Sequence, residues 1–224
     1  ADLGKAVTWA LGSAFSNAGQ RCAAGSRILV FDAVYDRFKQ MLVEATSRLK
    51  VGTGDGDDYG PVINEEQMMN MLRAVERAKA AGATVLTGGQ RLTGGGYEGG
   101  YFVAPTIIED VGAGDDISKT ELFGPITILY RVKDFEDAIT LANDSPFGLT
   151  AAVHTQNINR AMTFIGRIQS GVAVVNGGTY GSEPHMPFGG LKQSGNGWRE
   201  AGTQAIDVYS DLKTVYINHD PAHV

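Results

Sequence analysis

The side chain best suited to covalent chemistry in this sequence is its one cysteine. Cys22 stands in Gly19-Gln20-Arg21-Cys22-Ala23-Ala24-Gly25-Ser26, a short run of small and polar residues. The thiolate is the nucleophilic form of cysteine, and an adjacent guanidinium such as that of Arg21 favours it. Glycines on either side leave room for a substrate to reach the sulfur. A free cysteine is more often a small buried hydrophobe, yet such a residue belongs inside an apolar run, and Cys22 lies between two of them. On residues alone the nucleophilic and the structural roles stand level. A second cluster is Glu121-Leu122-Phe123-Gly124-Pro125, just ahead of an apolar run. A carboxylate there can accept two vicinal hydroxyls and a phenyl can pack on a flat ring, and loops at strand ends are where α/β sheets bind ligands. A surface glutamate beside a core phenylalanine is the plainer reading of that spacing. A third cluster, Met186 to Gly195, is a long glycine-rich loop, the kind that compact domains keep for function. Two other patterns lead nowhere. Gly94 to Gly99 fits G-x-G-x-x-G, but the extended Tyr101–Pro105 follows it, whereas a phosphate turn must open a helix. His219 and His223 have metal-ligand spacing but no third ligand, and read as a frayed end.

These residues must be held by ordered elements, and the composition supports that. Of 224 residues, 43% are hydrophobic and 20% charged, enough to bury a core. The net charge of −6 gives no basic field for nucleic acid or anionic lipid. No apolar run is long enough to span a membrane. A single cysteine excludes an internal disulfide framework and suits a reducing, cytoplasmic compartment. Helical spacing predicts helices over 2–17, from Asp32 to about Leu49, after the Asn64/Gln67 capping box, over 134–142 and 158–168, and a short one near 198–206. Strands are predicted at 26–31, 84–86, 102–108, 125–132, 149–154 and 172–175. The alternation implies an α/β fold with a mostly parallel sheet and helices on both faces. A last strand, 212–218, lies apart from that block and is expected as an assembly arm or an ordinary edge strand. The division expected is 1–208 for the domain and 209–224 for the tail.

In order, Gly19-Gln20-Arg21-Cys22, Glu121-Leu122-Phe123-Gly124-Pro125 and Pro187-Phe188-Gly189-Gly190 with Ser194-Gly195 resemble the NAD(P)-dependent aldehyde dehydrogenase superfamily. Gly60-Pro61-Val62-Ile63, Tyr101 to Thr106, Ala142 to Leu149 and Gly171 to Asn176 extend the likeness over essentially the whole chain. The resemblance implies that Cys22 is the nucleophile and its backbone N–H an oxyanion donor. It implies that Glu121 holds the nicotinamide ribose, with Phe123 against the ring. Glu200 is then a proton-relay residue. Arg21, Phe188 and residues near 179–186 flank the aldehyde. The cofactor expected is NAD or NADP, on a partial site, and the assembly a homo-oligomer. Family members are about twice as long. The chain is therefore expected to be the catalytic-domain fragment of such an enzyme, lacking the cofactor domain, the general-base glutamate and the oxyanion asparagine that precede Cys22 in relatives. Ser194–Gly197 and Asp207–Ser210 resemble a semialdehyde-oxidising branch. The readings in competition are a truncated, non-catalytic partner-binding subunit and a cysteine-dependent esterase using His154 or His185 as base.

Overall fold

The computed structural model describes residues 1–218, Asp220 and Ala222; His219 and His223 lie outside the described residues. Helix α1 (Leu3–Phe15) begins where the Asp2 carboxylate accepts from the Lys5 N–H at 3.1 Å, satisfying a donor that the first turn leaves free. Strand β1 (Arg27–Phe31) and helix α2 (Asp32–Thr46) follow. Asp32 is not the cap the sequence predicts. It is the first helical residue, and its carboxylate accepts from Arg131 at 2.5 Å, so a charged partner on a neighbouring strand takes it from the helix end. Helix α3 (Glu65–Ala80) is capped by Asn64, which accepts from the Gln67 N–H at 2.8 Å. The return half of the capping box is missing, because the Gln67 amide donates to the Leu122 carbonyl at 3.4 Å.

The remaining elements are β2 (Thr84–Thr87), β3 (Thr106–Glu109), the single turn α4 (Asp116–Lys119), β4 (Ile126–Val132) and α5 (Phe135–Asn143), then β5 (Phe147–Gly148), β6 (Thr150–Val153), α6 (Ile158–Arg167), β7 (Val172–Val175), β8 (Leu191–Lys192) and α7 (Ala205–Val208). The central sheet has the order β1-β4-β3-β2. β4 runs parallel to β1 and to β3, with Arg27 opposite Ile128 and Thr106 opposite Ile126, and only the edge strand β2 is antiparallel. In β4 five consecutive residues, Ile126 to Tyr130, are buried. Successive side chains point to opposite faces, so both faces of the sheet are covered, as parallel strands require. Phe15, Leu42, Met68, Met71, Ile107 and Leu129 fill the core between the sheet and its helices.

Two departures follow from pairing. The predicted strand 149–154 forms as β6, parallel to β7, but the short β5 just before it was not predicted and pairs antiparallel with β8. The predicted last strand does not form. Residues 212–218 have no strand partner among the described residues, and Leu212, Tyr216 and Ile217 are exposed. Alternation alone does not make a strand: the ladder needs a partner, and among the described residues 212–218 pair with none. No described helix is long and apolar enough to cross a membrane.

Ile107 is fully buried at the centre of the sheet. Ile107→Ala is expected to lower the unfolding free energy by about 2–5 kcal/mol in a denaturant titration. Burial pushes the Tyr59 phenol well above its ordinary pKa; burial and the Glu109 carboxylate, which accepts from the Tyr35 hydroxyl at 2.7 Å, do the same for Tyr35. The folded chain keeps these protons above pH 10, where the unfolded chain releases them. Stability should therefore fall as pH rises past about 10. Tyr59→Phe should flatten that fall in urea titrations run between pH 9 and about pH 11.

Candidate active site

Helix α1 ends in a left-handed turn. Asn17, Ala18 and Gly19 all have positive φ, at 57°, 55° and 63°. Two of the three carry side chains, so the turn is strained by about 1–2 kcal/mol at each non-glycine position. Hydrogen bonds offset this: the Gln20 N–H donates to the Asn17 carbonyl at 3.0 Å, and the Asn17 amide donates back to the Gln20 carbonyl at 3.1 Å. Cys22 follows at the crown of a second turn, closed by Ala24 N–H to the Arg21 carbonyl at 3.1 Å. Its thiol is free and exposed.

The turn is fixed at several points. Gly19 packs on Gly124, and a Cβ at Gly19 would overlap the Gly124 carbonyl oxygen. A Cβ at Gly124 would in turn overlap the Met71 side chain. The Gln20 side chain spans the turn and the 61–63 loop: its carbonyl accepts from Ile63 N–H at 2.9 Å and its amide donates to the Pro61 carbonyl at 3.4 Å. From the other side, the Thr179 hydroxyl donates to the Ala23 carbonyl at 2.6 Å and the Thr179 N–H to the Ser13 hydroxyl at 3.1 Å. Below Cys22, the Gly25 N–H donates to the Ser13 carbonyl and the Gly25 carbonyl accepts from Thr127, both at 2.8 Å.

The contact between Gly19 and Gly124 brings the first two predicted clusters together. Glu121 and Phe123 are exposed, and Phe123 is itself left-handed, at φ 54°. An exposed phenyl in a strained conformation costs stability without filling the core, which runs against the core role that spacing alone favours. Both loops lead into parallel strands, Cys22 ahead of β1 and Glu121 ahead of β4. The cluster thus sits at the amino ends of these strands. The general preference of open α/β sheets is for the carboxyl ends. Here those ends carry Arg131 bound to Asp32 and Asp36, at 2.5 and 2.6 Å, and Lys39 bound to Glu109 at 3.0 Å.

The third cluster is placed but less closely joined. The Phe188 and Glu200 backbones bond reciprocally at 2.8 and 2.9 Å, so these two residues face each other across a two-residue ladder. Phe188 is half-buried and Glu200 exposed. Among the described residues, no hydrogen bond or ion pair joins the side chain of Glu200 to Cys22 or to Glu121. Several glycines of this loop serve backbone packing: a Cβ on Gly190 would overlap the Ser194 carbonyl, and one on Gly195 the Gly190 carbonyl. The segment before the loop reaches the cysteine turn through Thr179.

Trp9 and Tyr180 are the residues that sequence spacing does not reveal. Their rings lie 6.1 Å apart, and the Arg21 guanidinium is 5.8 Å from the Tyr180 centroid. Tyr180 lies against Gly12 and Gly178, where a Cβ would collide with its ring. The signal is one glycine in α1 and one beside Tyr180, and only the fold shows that they meet. Two concavities of about 470 and 350 Å³ are lined by Thr46, Lys50 and Tyr97, and by Tyr35, Glu109 and Arg131. Neither includes a residue of the cysteine turn, and chemistry, not concavity, marks the site. His154 is half-buried, and burial together with the nearby positive N-terminus holds its imidazole below the usual pKa. Neither His154 nor His185 hydrogen-bonds Cys22 among the described residues.

The sequence model of the Aldehyde dehydrogenase family matches residues 1–215. The alpha-ketoglutaric semialdehyde dehydrogenase of Bacillus subtilis is 38% identical over 219 residues, covering 97% of this chain and 45% of the relative. The 2,5-dioxopentanoate dehydrogenase of Saccharolobus solfataricus is 39% identical over 218 residues, 96% of this chain and 45% of its own. Among solved structures, betaine aldehyde dehydrogenase from Staphylococcus aureus in complex with NAD+ superposes with a TM-score of 0.90 at 35% identity, over 93% of this chain and 42% of that one. The chain spans less than half the length of these relatives.

Gly19→Ala adds a Cβ into the Gly124 carbonyl at a positive φ. It should destabilise the chain by about 2–4 kcal/mol and change the iodoacetamide reactivity of Cys22. Urea unfolding and intact mass read the two effects separately.

Proposed function

The chain belongs to the aldehyde dehydrogenase family, and from that premise we propose that it is the cysteine-bearing part of an NAD(P)-dependent aldehyde dehydrogenase. One observation carries this reading. An exposed thiol stands on a rigid turn whose backbone abuts the loop presenting an exposed carboxylate, Glu121, and an exposed ring, Phe123. Those two residues fit one end of a nicotinamide dinucleotide: the carboxylate suits ribose hydroxyls and the phenyl suits the flat ring. NAD+ is in the complex of the betaine aldehyde dehydrogenase, and NAP is in that of 3,6-anhydro-L-galactose dehydrogenase, which superposes with a TM-score of 0.93 at 36% identity over 97% of this chain and 46% of that one.

In this mechanism the Cys22 sulfur, as thiolate, adds to the aldehyde carbonyl carbon. A C–S bond forms and the carbonyl electron pair moves to oxygen. The Cys22 backbone N–H faces the growing oxyanion and stabilises it as a fixed dipole. The bound dinucleotide supplies the hydride acceptor. Glu121 and Phe123 would hold that acceptor, the carboxylate on the ribose hydroxyls and the phenyl on the ring. Re-forming the C=O leaves a thioester on Cys22. Water opens it to the carboxylic acid, returning the thiol, and Glu200 passes a proton from the site towards solvent. Phe188 and Arg21 flank the aldehyde. The relatives named for α-ketoglutaric semialdehyde and 2,5-dioxopentanoate support an aldehyde that also carries a carboxylate. Residues 1–208 form the catalytic unit, and 209–224 are the assembly segment of a homo-oligomer, in which Tyr209, Leu212 and Tyr216 are exposed. A free, exposed thiol suits a reducing compartment, the cytoplasm.

Cys22→Ala in the full-length protein should abolish aldehyde-dependent NAD(P)H formation; normal turnover in that variant would exclude the proposal. The 224-residue chain by itself should produce no measurable NADH. A general base alone contributes about 10²–10⁴-fold, and the whole dinucleotide site is needed besides. Steady NADH production by the purified chain would show that the proposed division of labour is wrong.

A further inference from the structure

Resting on the reading of Cys22 as the nucleophile, we infer that Arg21 is the residue that selects an anionic aldehyde. Arg21 directly precedes Cys22 and is exposed. Among the described residues it forms no ion pair and donates no hydrogen bond. Its one contact is with the face of Tyr180, at 5.8 Å. A guanidinium over an aromatic ring keeps its planar N–H edge unused, and that edge matches a carboxylate with two parallel hydrogen bonds.

The platform under it is built. Tyr180 is half-buried, wedged over Gly12 and Gly178 and against Trp9. Thr179, its neighbour, is tied to the Ala23 carbonyl and the Ser13 hydroxyl. Ala23 follows Cys22, so the same hydrogen bonds that hold the cysteine turn also hold the ring beneath Arg21. The cation is thereby fixed one residue from the sulfur, with no carboxylate paired to it among the described residues. A free cation at that place attracts the far carboxylate of an ω-oxo acid while the aldehyde end meets the thiol. It offers nothing to a neutral aldehyde and repels a cationic one.

The experiment compares two alkylating agents of the same reaction and different charge on the 224-residue chain. Iodoacetate carries a carboxylate and iodoacetamide does not. The second-order rate constants for Cys22 are read by intact mass, and only their ratio is interpreted. Arg21→Ala should lower the iodoacetate-to-iodoacetamide ratio about tenfold, the size expected for loss of a charge-assisted contact. Arg21→Lys should restore most of the ratio, and Arg21→Gln should not. In the full-length protein, the kcat/KM of an ω-oxo acid relative to that of an uncharged aldehyde of equal length should fall by a similar factor in Arg21→Ala. A ratio unaltered in Arg21→Ala and Arg21→Gln overturns the inference, whatever the enzyme's activity. If the alkylation ratio falls but the full-length protein oxidises no aldehyde, Arg21 recruits anions and it is the dehydrogenase reading that fails.

Discussion

The site depends on one close approach of backbone to backbone, Gly19 against the Gly124 carbonyl. The two residues belong to loops far apart in sequence, and each loop opens a neighbouring parallel strand. Because β1 and β4 are paired in register, their preceding loops emerge side by side. Hydrogen bonding in the ladder settles the coarse placement. The fine placement comes from the missing side chains, which let the cysteine turn settle directly on the loop that carries Glu121 and Phe123. A methyl group at Gly19 would press on the Gly124 carbonyl and separate the two loops, and one at Gly124 would press on Met71. The strain of two left-handed residues that carry side chains, Asn17 and Ala18, is the cost of this arrangement, and it is borne in the turn that leads to Cys22.

The rest of the molecule reinforces that contact from three directions. Gln20 ties the turn to the 61–63 loop, Thr179 ties it to the segment that carries Tyr180, and Met71 in α3 backs Gly124 from the core. The turn is exposed at its crown and held at its base. A nucleophile benefits from this combination, because a fixed geometry lowers the cost of bringing thiol and carbonyl together. At the opposite, carboxyl end of the same strands, Arg131 pairs with Asp32 and Asp36, and Lys39 with Glu109. The charges there are engaged in ion pairs, whereas at the amino end a thiol, a carboxylate and a guanidinium have no ion pair among the described residues.

Much of this was legible in the residues, for identifiable reasons. Helix starts at Asp2, Asn64 and Asp134 were readable because a side-chain acceptor three residues ahead of a free N–H is a local feature. Asp32 misled because its partner, Arg131, comes from a distant strand. The apolar run Ile28–Phe31, and Ile126, Ile128 and Leu129 in the next, announced the parallel strands β1 and β4. The segment 212–218 alternates like a strand, but alternation does not supply a partner. The cysteine, Glu121 and Phe123 were found as chemistry, and the family likeness joined them; that Gly19 and Gly124 do the joining emerges only in three dimensions. The pairing of Trp9 with Tyr180 was invisible for the same reason, although the likeness had set residues near 179–186 beside the aldehyde. The Met186–Gly195 loop was marked as functional by its length and glycines, and Gly190 and Gly195 in it make room for other backbone.

The most direct test of the central claim is the covalent state of Cys22 during turnover. The full-length protein would be mixed with an ω-oxo acid and NAD(P)+, quenched in acid within the first turnovers, and digested with trypsin. Cleavage after Arg21 and Arg27 releases the peptide Cys22–Arg27. The account predicts that this peptide gains the mass of the aldehyde less two hydrogens, the signature of a thioester formed by addition and loss of hydride and a proton. NAD(P)H formation with this peptide unmodified throughout, or with the acyl group on another peptide, would contradict it.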